Sequence, residues 1–381
     1  MKYFTSIRFA SSRHLVFALC VLCALCGYSP AQDFKTVHPG VEYAKVDNKI
    51  GSDPVKINLL RLDLKKVRLD VHHALDKAIG LETTSSIATR KGAVAAINAG
   101  FFRLDKSDFA GDNVGFLKID QQLLSEPAMD RVALGITNLK KRTEILIGRW
   151  TFSGYLRWKS RDHPNILMGL NREVKDNEVI LFTPAFAISL PDRPDEFRVV
   201  VRKNRVTHAC LAGCGIPSDG FVLAGKGARG RFLQQLQPKD KIRFRWDAGR
   251  DAPEVGKPSE DAVAGVPQLI KNGKIDITWE QEKASKAFAE TRHPRTAVAK
   301  LKDGKFLMMT VDGRQPGVSV GMTLQELAGY LLSLGAVDAM NLDGGGSTTM
   351  YLDGKVVNTP SDKDGERKIG DAILVTLRKK R

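Results

Sequence analysis

Long hydrophobic runs are missing from this 381-residue chain. The longest apolar stretch, Leu15 to Leu25, is shorter than the ~20 residues a membrane-spanning helix needs. Low-complexity segments and repeats at solenoid periods are also absent, which argues against a linker-like or stacked-repeat architecture. Acidic residues do not occur before Asp33, and the one dense basic run is Arg378 to Arg381. Basic residues are otherwise spread along the chain, so no patch suited to nucleic acid stands out. Cysteine is scarce. Of five cysteines, Cys20, Cys23 and Cys26 fall in the first 31 residues, leaving only Cys210 and Cys214. Two thiolates need two further ligands to hold a structural metal, and His208 is the only candidate nearby. The pair reads as structural, with its bonding left open because spacing does not prove connectivity.

The N-terminus carries an address instead of an anchor. Lys2, Arg8 and Arg13 precede the short apolar run, and Ser29 and Ala31 are the small residues of a cleavage site after Ala31. That is the layout of a secretory signal, predicting export to the periplasm or beyond. A lipid anchor on Cys26 fits less well, because Cys23-Ala24-Leu25 is a poor lipobox. The expected organisation is a signal at 1–31, one domain at 32–377 and a disordered basic tail at 378–381, with no integral membrane segment after signal removal. The net charge of +16 favours anionic partners.

Local patterns describe an α+β domain, β-rich with mixed sheets and a few covering helices. Asn58 to Leu64 and Val67 to Val71 read as strands, and Gly92 to Ile97 as a buried strand ending at Asn98. Thr83 to Ser86 offers N-cap residues for a helix reaching Arg90. Residues 103–260 alternate short apolar runs with turn residues. Asn272-Gly273, Asp303-Gly304 and Asp353-Gly354 sit between apolar runs as tight hairpin turns. Thr323-Leu324-Gln325-Glu326 is a capping box opening a helix with an apolar stripe that stops at Gly335.

Four segments carry residues suited to chemistry. Asn341 to Ser347 places Asp343 at a strand end before Gly344, Gly345 and Gly346, where a ligand approaches backbone closely and successive N–H groups can cradle an anion. It is not a P-loop, since the Gly-Lys-Ser/Thr ending is missing. Asp312-Gly313-Arg314 ends another strand. Thr291 to Ala297 brings Arg292, His293 and Arg295 together before a strand; guanidiniums suit bidentate capture of phosphate, whereas His293 reads as a surface loop residue. Ser361 to Arg367 offers a carboxylate–arginine pair or a solvated loop.

In this order, Asn98 to Phe102, Arg295-Thr296-Ala297, Asp312-Gly313-Arg314, Asn341 to Ser347 and Asn358 through Glu366-Arg367 resemble the phosphodiester glycosidase domains of animals and bacteria. The likeness runs from about Leu59 to Leu377; the cysteine-rich extensions of the animal proteins are missing. It implies hydrolysis of a phosphate-linked sugar at the glycosidic carbon. Asp343 and Asp312 would be the catalytic carboxylates. Arg295, Arg314 and Arg367 would hold phosphate, Asn98 and Ser347 would line the sugar pocket, and Gly344, Gly345 and Glu366 would complete the binding site. No cofactor is required by spacing, although Ca²⁺ or Mg²⁺ at the acid-rich site is compatible with it. Two rival expectations remain: a non-catalytic module binding anionic polysaccharide, and a glycosidase acting on neutral glycans. The substrate, the reaction's stereochemical course and the oligomeric state are not legible.

Overall fold

In the computed structural model, which describes residues 32–158, 166–250 and 259–379, the expected hairpins of the last third all form. The strands Arg295–Leu301 and Phe306–Val311 pair antiparallel across the Asp303-Gly304 turn. At the other two turns, Asn272 and Gly273 (φ +50° and +73°) and Asp353 and Gly354 (+47° and +84°) are both left-handed, matching the twist of the flanking strands. The helix Leu324–Ser333 opens on the capping box: Glu326 N–H donates to Thr323 Oγ1 at 3.1 Å, and Thr323 N–H to Glu326 Oε2 at 2.8 Å. Gly335, at φ +85°, lies just beyond its end.

Two sheets position the candidate residues. An eight-stranded antiparallel sheet runs Lys35–His38, Val41–Ile50, Asp53–Leu62, Phe306–Val311, Arg295–Leu301, Ala336–Asn341, Gln268–Lys271, Lys274–Ile275. A five-stranded antiparallel sheet runs Lys355–Val356, Met350–Leu352, Ala95–Asn98, Asp371–Leu377, Val67–His73. Period-2 alternation decides what they share. Leu60, Val298, Met308 and Met340 of the first pack in one core with Leu69, Val71, Ile97 and Ile373 of the second. Burying each such side chain contributes about 1.5–3 kcal/mol. Helix Leu324–Ser333 covers the opposite face of the first sheet through Leu324, Leu327, Ala328 and Leu331. Helix Thr84–Arg90 covers the second through Ile87 and Ala88, against Ala96, Ala372 and Leu374.

The middle of the chain is β-rich as its composition suggests. It supplies a seven-stranded sheet and a second five-stranded one, the latter containing the parallel pair Gly169–Leu170 and Val179–Phe182. Cys210 and Cys214 form a disulfide. Among the described residues no helix is long and apolar enough to cross a membrane. The segment 1–31, expected to be a secretory signal, lies outside the described residues, as do Lys380 and Arg381. Arg378, expected in a loose tail, is tied down instead. Its guanidinium donates to Val67 O, Leu139 O and Thr143 Oγ1, each at 2.9 Å.

Candidate active site

Strand ends bring the distant segments together. Ala297 is opposite Asn341 and Arg295 is opposite Val311 in the large sheet, while Ala372 is opposite Asn98 in the small one. The loops leaving Val311 and Asn341 therefore emerge beside the start of the Arg295 strand. Asn98 ties the two sheets at this edge. Its Oδ1 accepts from Thr296 Oγ1 (2.8 Å) and Thr349 N–H (3.0 Å), and its Nδ2 donates to Asp343 O at 2.7 Å. Asn98 is 0% exposed, so it fixes the Asp343 turn from behind instead of lining a sugar pocket.

Asp343 is half-buried and accepts the N–H of Gly344 at 2.9 Å. Desolvation pushes its pKa up to about 6, against the lowering effects of Ser347, Gly344 and Arg367; the charge of Asp371 adds to the rise. Ser347 Oγ is buried near this carboxyl without completing a hydrogen bond. A buried hydroxyl lacking a partner costs about 1–3 kcal/mol, and such a group is satisfied when a polar ligand reaches it. Thr348 Oγ1, Thr349 Oγ1 and Ser361 Oγ share that condition.

The three glycines serve close approach. A Cβ on Gly344 would meet Pro294 O at 2.7 Å, and one on Gly345 the Arg314 guanidinium at 3.0 to 3.3 Å. A Cβ on Gly346 would land on the Arg367 guanidinium and the Asp362 carboxylate. Two guanidiniums thus lie against consecutive glycines beside Asp343. The anion cradle expected of the backbone itself does not form: Gly344 N–H is taken by Asp343 Oδ1, Gly345 N–H by Pro294 O and Ser347 N–H by Gly344 O. Arg367 makes a bidentate pair with Asp362, at 2.7 and 2.9 Å. Arg314 has no carboxylate partner among the described residues; its Nη2 contacts His293 Nδ1 at 3.3 Å.

Three other predicted residues prove to be committed elsewhere. Asp312 is 2% exposed and accepts from Asn358 Nδ2 at 3.0 Å and Thr359 N–H at 3.1 Å. Burial raises its pKa, opposed by those donors and by the charges of Lys45 and Lys56. Asn358 in turn holds Thr348 O and Met350 N–H, so Asp312 braces the segment following the glycines. Arg295 is 1% exposed and donates to the carbonyls of Met322, Phe288 and Thr291 at 2.9, 2.7 and 3.0 Å. Burial, with help from the Arg314 charge, lowers its pKa to about 10, which leaves it cationic. It braces the loop that carries His293 and Pro294. Glu366 accepts from Ser85 N–H (2.8 Å) and Ser85 Oγ (2.5 Å), neutralising the first turn of helix Thr84–Arg90.

The second carboxylate near Asp343 is one the sequence reading passed over. Asp371 is 0% exposed and accepts from Gly100 N–H at 2.6 Å and Asn113 Nδ2 at 2.5 Å. Desolvation pushes its pKa up to about 6 as well. Gly100 is needed here, since a Cβ would stand 2.8 Å from Asn113 Nδ2 and 3.1 Å from both Asp371 oxygens. The available signal was a carboxylate opening a strand, Asp371–Leu377, that continues as the apolar run Ala372 to Val375. Among the described residues, no group of three or more His, Cys, Asp or Glu is arranged to hold a metal ion.

Residues 196–376 match the family model described as phosphodiester glycosidase. The mouse N-acetylglucosamine-1-phosphodiester alpha-N-acetylglucosaminidase is 36% identical over 166 residues, covering 41% of this chain and 31% of that protein. The human counterpart is 36% identical over 119 residues, 29% of this chain and 22% of its own length. The chain thus spans less than a third of these mammalian relatives. A crystal structure from Burkholderia pseudomallei superposes with a TM-score of 0.75 at 25% identity, covering 85% of this chain and 74% of that one.

Proposed function

Because this chain belongs to the phosphodiester glycosidase family, we propose that it is an exported hydrolase cleaving a sugar–O–phosphate diester at the glycosidic carbon. The observation that carries this reading is the pairing of one half-buried carboxylate, Asp343, with two guanidiniums, Arg314 and Arg367, laid against the adjoining glycines.

The chemistry follows from the leaving group. Cleaving at the anomeric carbon builds positive charge on the sugar and negative charge on the departing phosphate. A phosphomonoester leaves with less proton donation than an alcohol, so guanidinium charge on its oxygens takes over much of a general acid's work. Asp343 then serves the sugar side, as nucleophile or as base for water. Asp371, with no exposed surface, acts through Asp343: its charge adds to the desolvation that raises the Asp343 pKa, and Asn113 and Gly100 hold Asp371. Ser347, 0% exposed, acts on the Asp343 carboxyl from behind and lowers its pKa. Envelope or exopolysaccharide material is the substrate class that suits an exported, cationic protein.

The test is a comparison of sugar-1-phosphodiesters with neutral O-glycosides of the same sugars, using the purified protein and its Asp343→Asn and Arg314→Ala variants. Turnover confined to the diesters and lost in both variants supports the reading. Equal turnover of the neutral glycosides favours the neutral-glycan alternative, and binding of anionic polysaccharide without turnover favours the non-catalytic one.

A further inference from the structure

His293 touches this machinery through Arg314, and the proposed mechanism leaves it unused. We infer that His293 is a substrate-binding residue, presenting a fixed, uncharged Nε2–H to an oxygen of the substrate's phosphate. This inference rests on the reading of a phosphate-linked substrate.

Elementary hydrogen-bond chemistry settles the tautomer. A guanidinium has donors and no acceptor, so in the 3.3 Å contact of Arg314 Nη2 with His293 Nδ1 the arginine must donate. Nδ1 is then the lone-pair nitrogen, and the single proton of the neutral ring sits on Nε2. Nε2 has no hydrogen-bond partner among the described residues, and it is not one of the buried unsatisfied atoms. The surroundings oppose a second proton. Burial first, then the charges of Arg295 and Arg314, hold the ring's pKa below the ordinary histidine value.

The backbone holds His293 in place for this purpose. His293 exchanges both N–H···O bonds with Met322, at 3.2 and 3.0 Å. A Cβ on Gly313 would stand 2.8 Å from Pro294 N, and one on Gly321 would land on the His293 backbone. Both glycines therefore let the His293-Pro294 segment seat against the Arg314 turn. Arg314 itself is left-handed, at φ +59°, a conformation that is strained for an arginine and is kept where surrounding structure enforces it. The same guanidinium that fixes the imidazole lies against Gly345, so phosphate held by Arg314 is within the neighbourhood of Nε2–H. A neutral donor adds a hydrogen bond without adding charge to a site already holding two guanidiniums.

The experiment has two readouts. In protein labelled with 15N-histidine, the His293 resonances are assigned by their loss in His293→Gln. The inference expects a neutral ring protonated at Nε2 at pH 7, whose Nε2 signal moves when inorganic phosphate is added. In kinetics on a sugar-1-phosphodiester, His293→Ala should lose roughly tenfold or more in kcat/KM, the scale of one hydrogen bond to a charged group. His293→Gln, which can accept from Arg314 and still donate, should recover most of it. A ring protonated at Nδ1, an Nε2 signal indifferent to saturating phosphate, or equal activity in the wild type and His293→Ala overturns the inference. If the wild type stays selective for diesters in that last case, the proposed function stands without it; if the wild type cleaves neutral glycosides equally well, both fall.

Discussion

Adding one methyl group at Gly346 separates the two jobs that the glycine segment performs. A Cβ there would occupy the space of the Arg367 guanidinium and the Asp362 carboxylate, both of which are the ends of side chains able to swing aside. Their ion pair is about one-third exposed on each side, 27% and 32%, and such pairs contribute about 0–1 kcal/mol to stability. Gly346→Ala should therefore melt close to the wild type while losing the placement of Arg367. A charge-assisted contact to phosphate is worth about 1.5–3 kcal/mol, so kcat/KM on a sugar-1-phosphodiester should fall roughly tenfold to a hundredfold. The neighbouring Gly344→Ala meets backbone instead, Pro294 O at 2.7 Å. It should lower the melting temperature by several degrees. Thermal melts and steady-state kinetics on both variants check the pair of outcomes. Full activity in Gly346→Ala with Arg367 displaced, or unfolding of Gly346→Ala with Gly344→Ala unaffected, would refute this reasoning.

Other outcomes follow from the buried acids. Asp343, Asp371 and Asp261 have pKa values raised to about 6, and Asp112 to about 7. Each binds its proton more tightly folded than unfolded, so melting temperature should rise as pH falls from about 8 to 5. Buried His73, held down at about 4 by desolvation, opposes that rise from about pH 6.5 downward, because the unfolded imidazole takes its proton first, but it is one group against four. Below about pH 4.5 the trend should reverse, because Glu82, whose desolvation is outweighed by Arg90, Leu75 N–H and Ser86 so that its pKa lies at about 2, loses its stabilising charge. Asp371→Asn removes a charge that adds to the desolvation raising the Asp343 pKa; the acid limb of the pH–rate profile, set by the coupled pair, should move to lower pH. Asp312→Ala leaves Asn358 Nδ2 and Thr359 N–H without their acceptor, costing about 1–3 kcal/mol per group in a denaturant titration.

Much of the fold was readable because its signals are local. Asp-Gly and Asn-Gly turns demand left-handed residues, and the Thr323–Glu326 box fixes a helix start whatever surrounds it. The segments that converge at the site were also identifiable. What each residue does there was not, because partners such as Met322 O and Phe288 O, which engage Arg295, are backbone groups with no sequence signature. A guanidinium that holds a loop and one that faces a ligand are the same letter. Asp312 and Asp371 illustrate the point from opposite directions. Both sit at strand ends, but Asp312 turns toward Asn358 and Thr359, while Asp371 turns toward Gly100 and Asn113 beside Asp343. Only the packing of the two sheets on one core decides which acid meets which.

The most direct measurement is the ratio of kcat/KM for a sugar-1-phosphodiester to that for the matching neutral O-glycoside, in the wild type and in Arg314→Ala. If guanidiniums on the glycine segment recognise the leaving phosphate, the ratio is large in the wild type and drops by tenfold or more in the variant. A ratio near one in the wild type, or a large ratio unchanged by Arg314→Ala, contradicts the account.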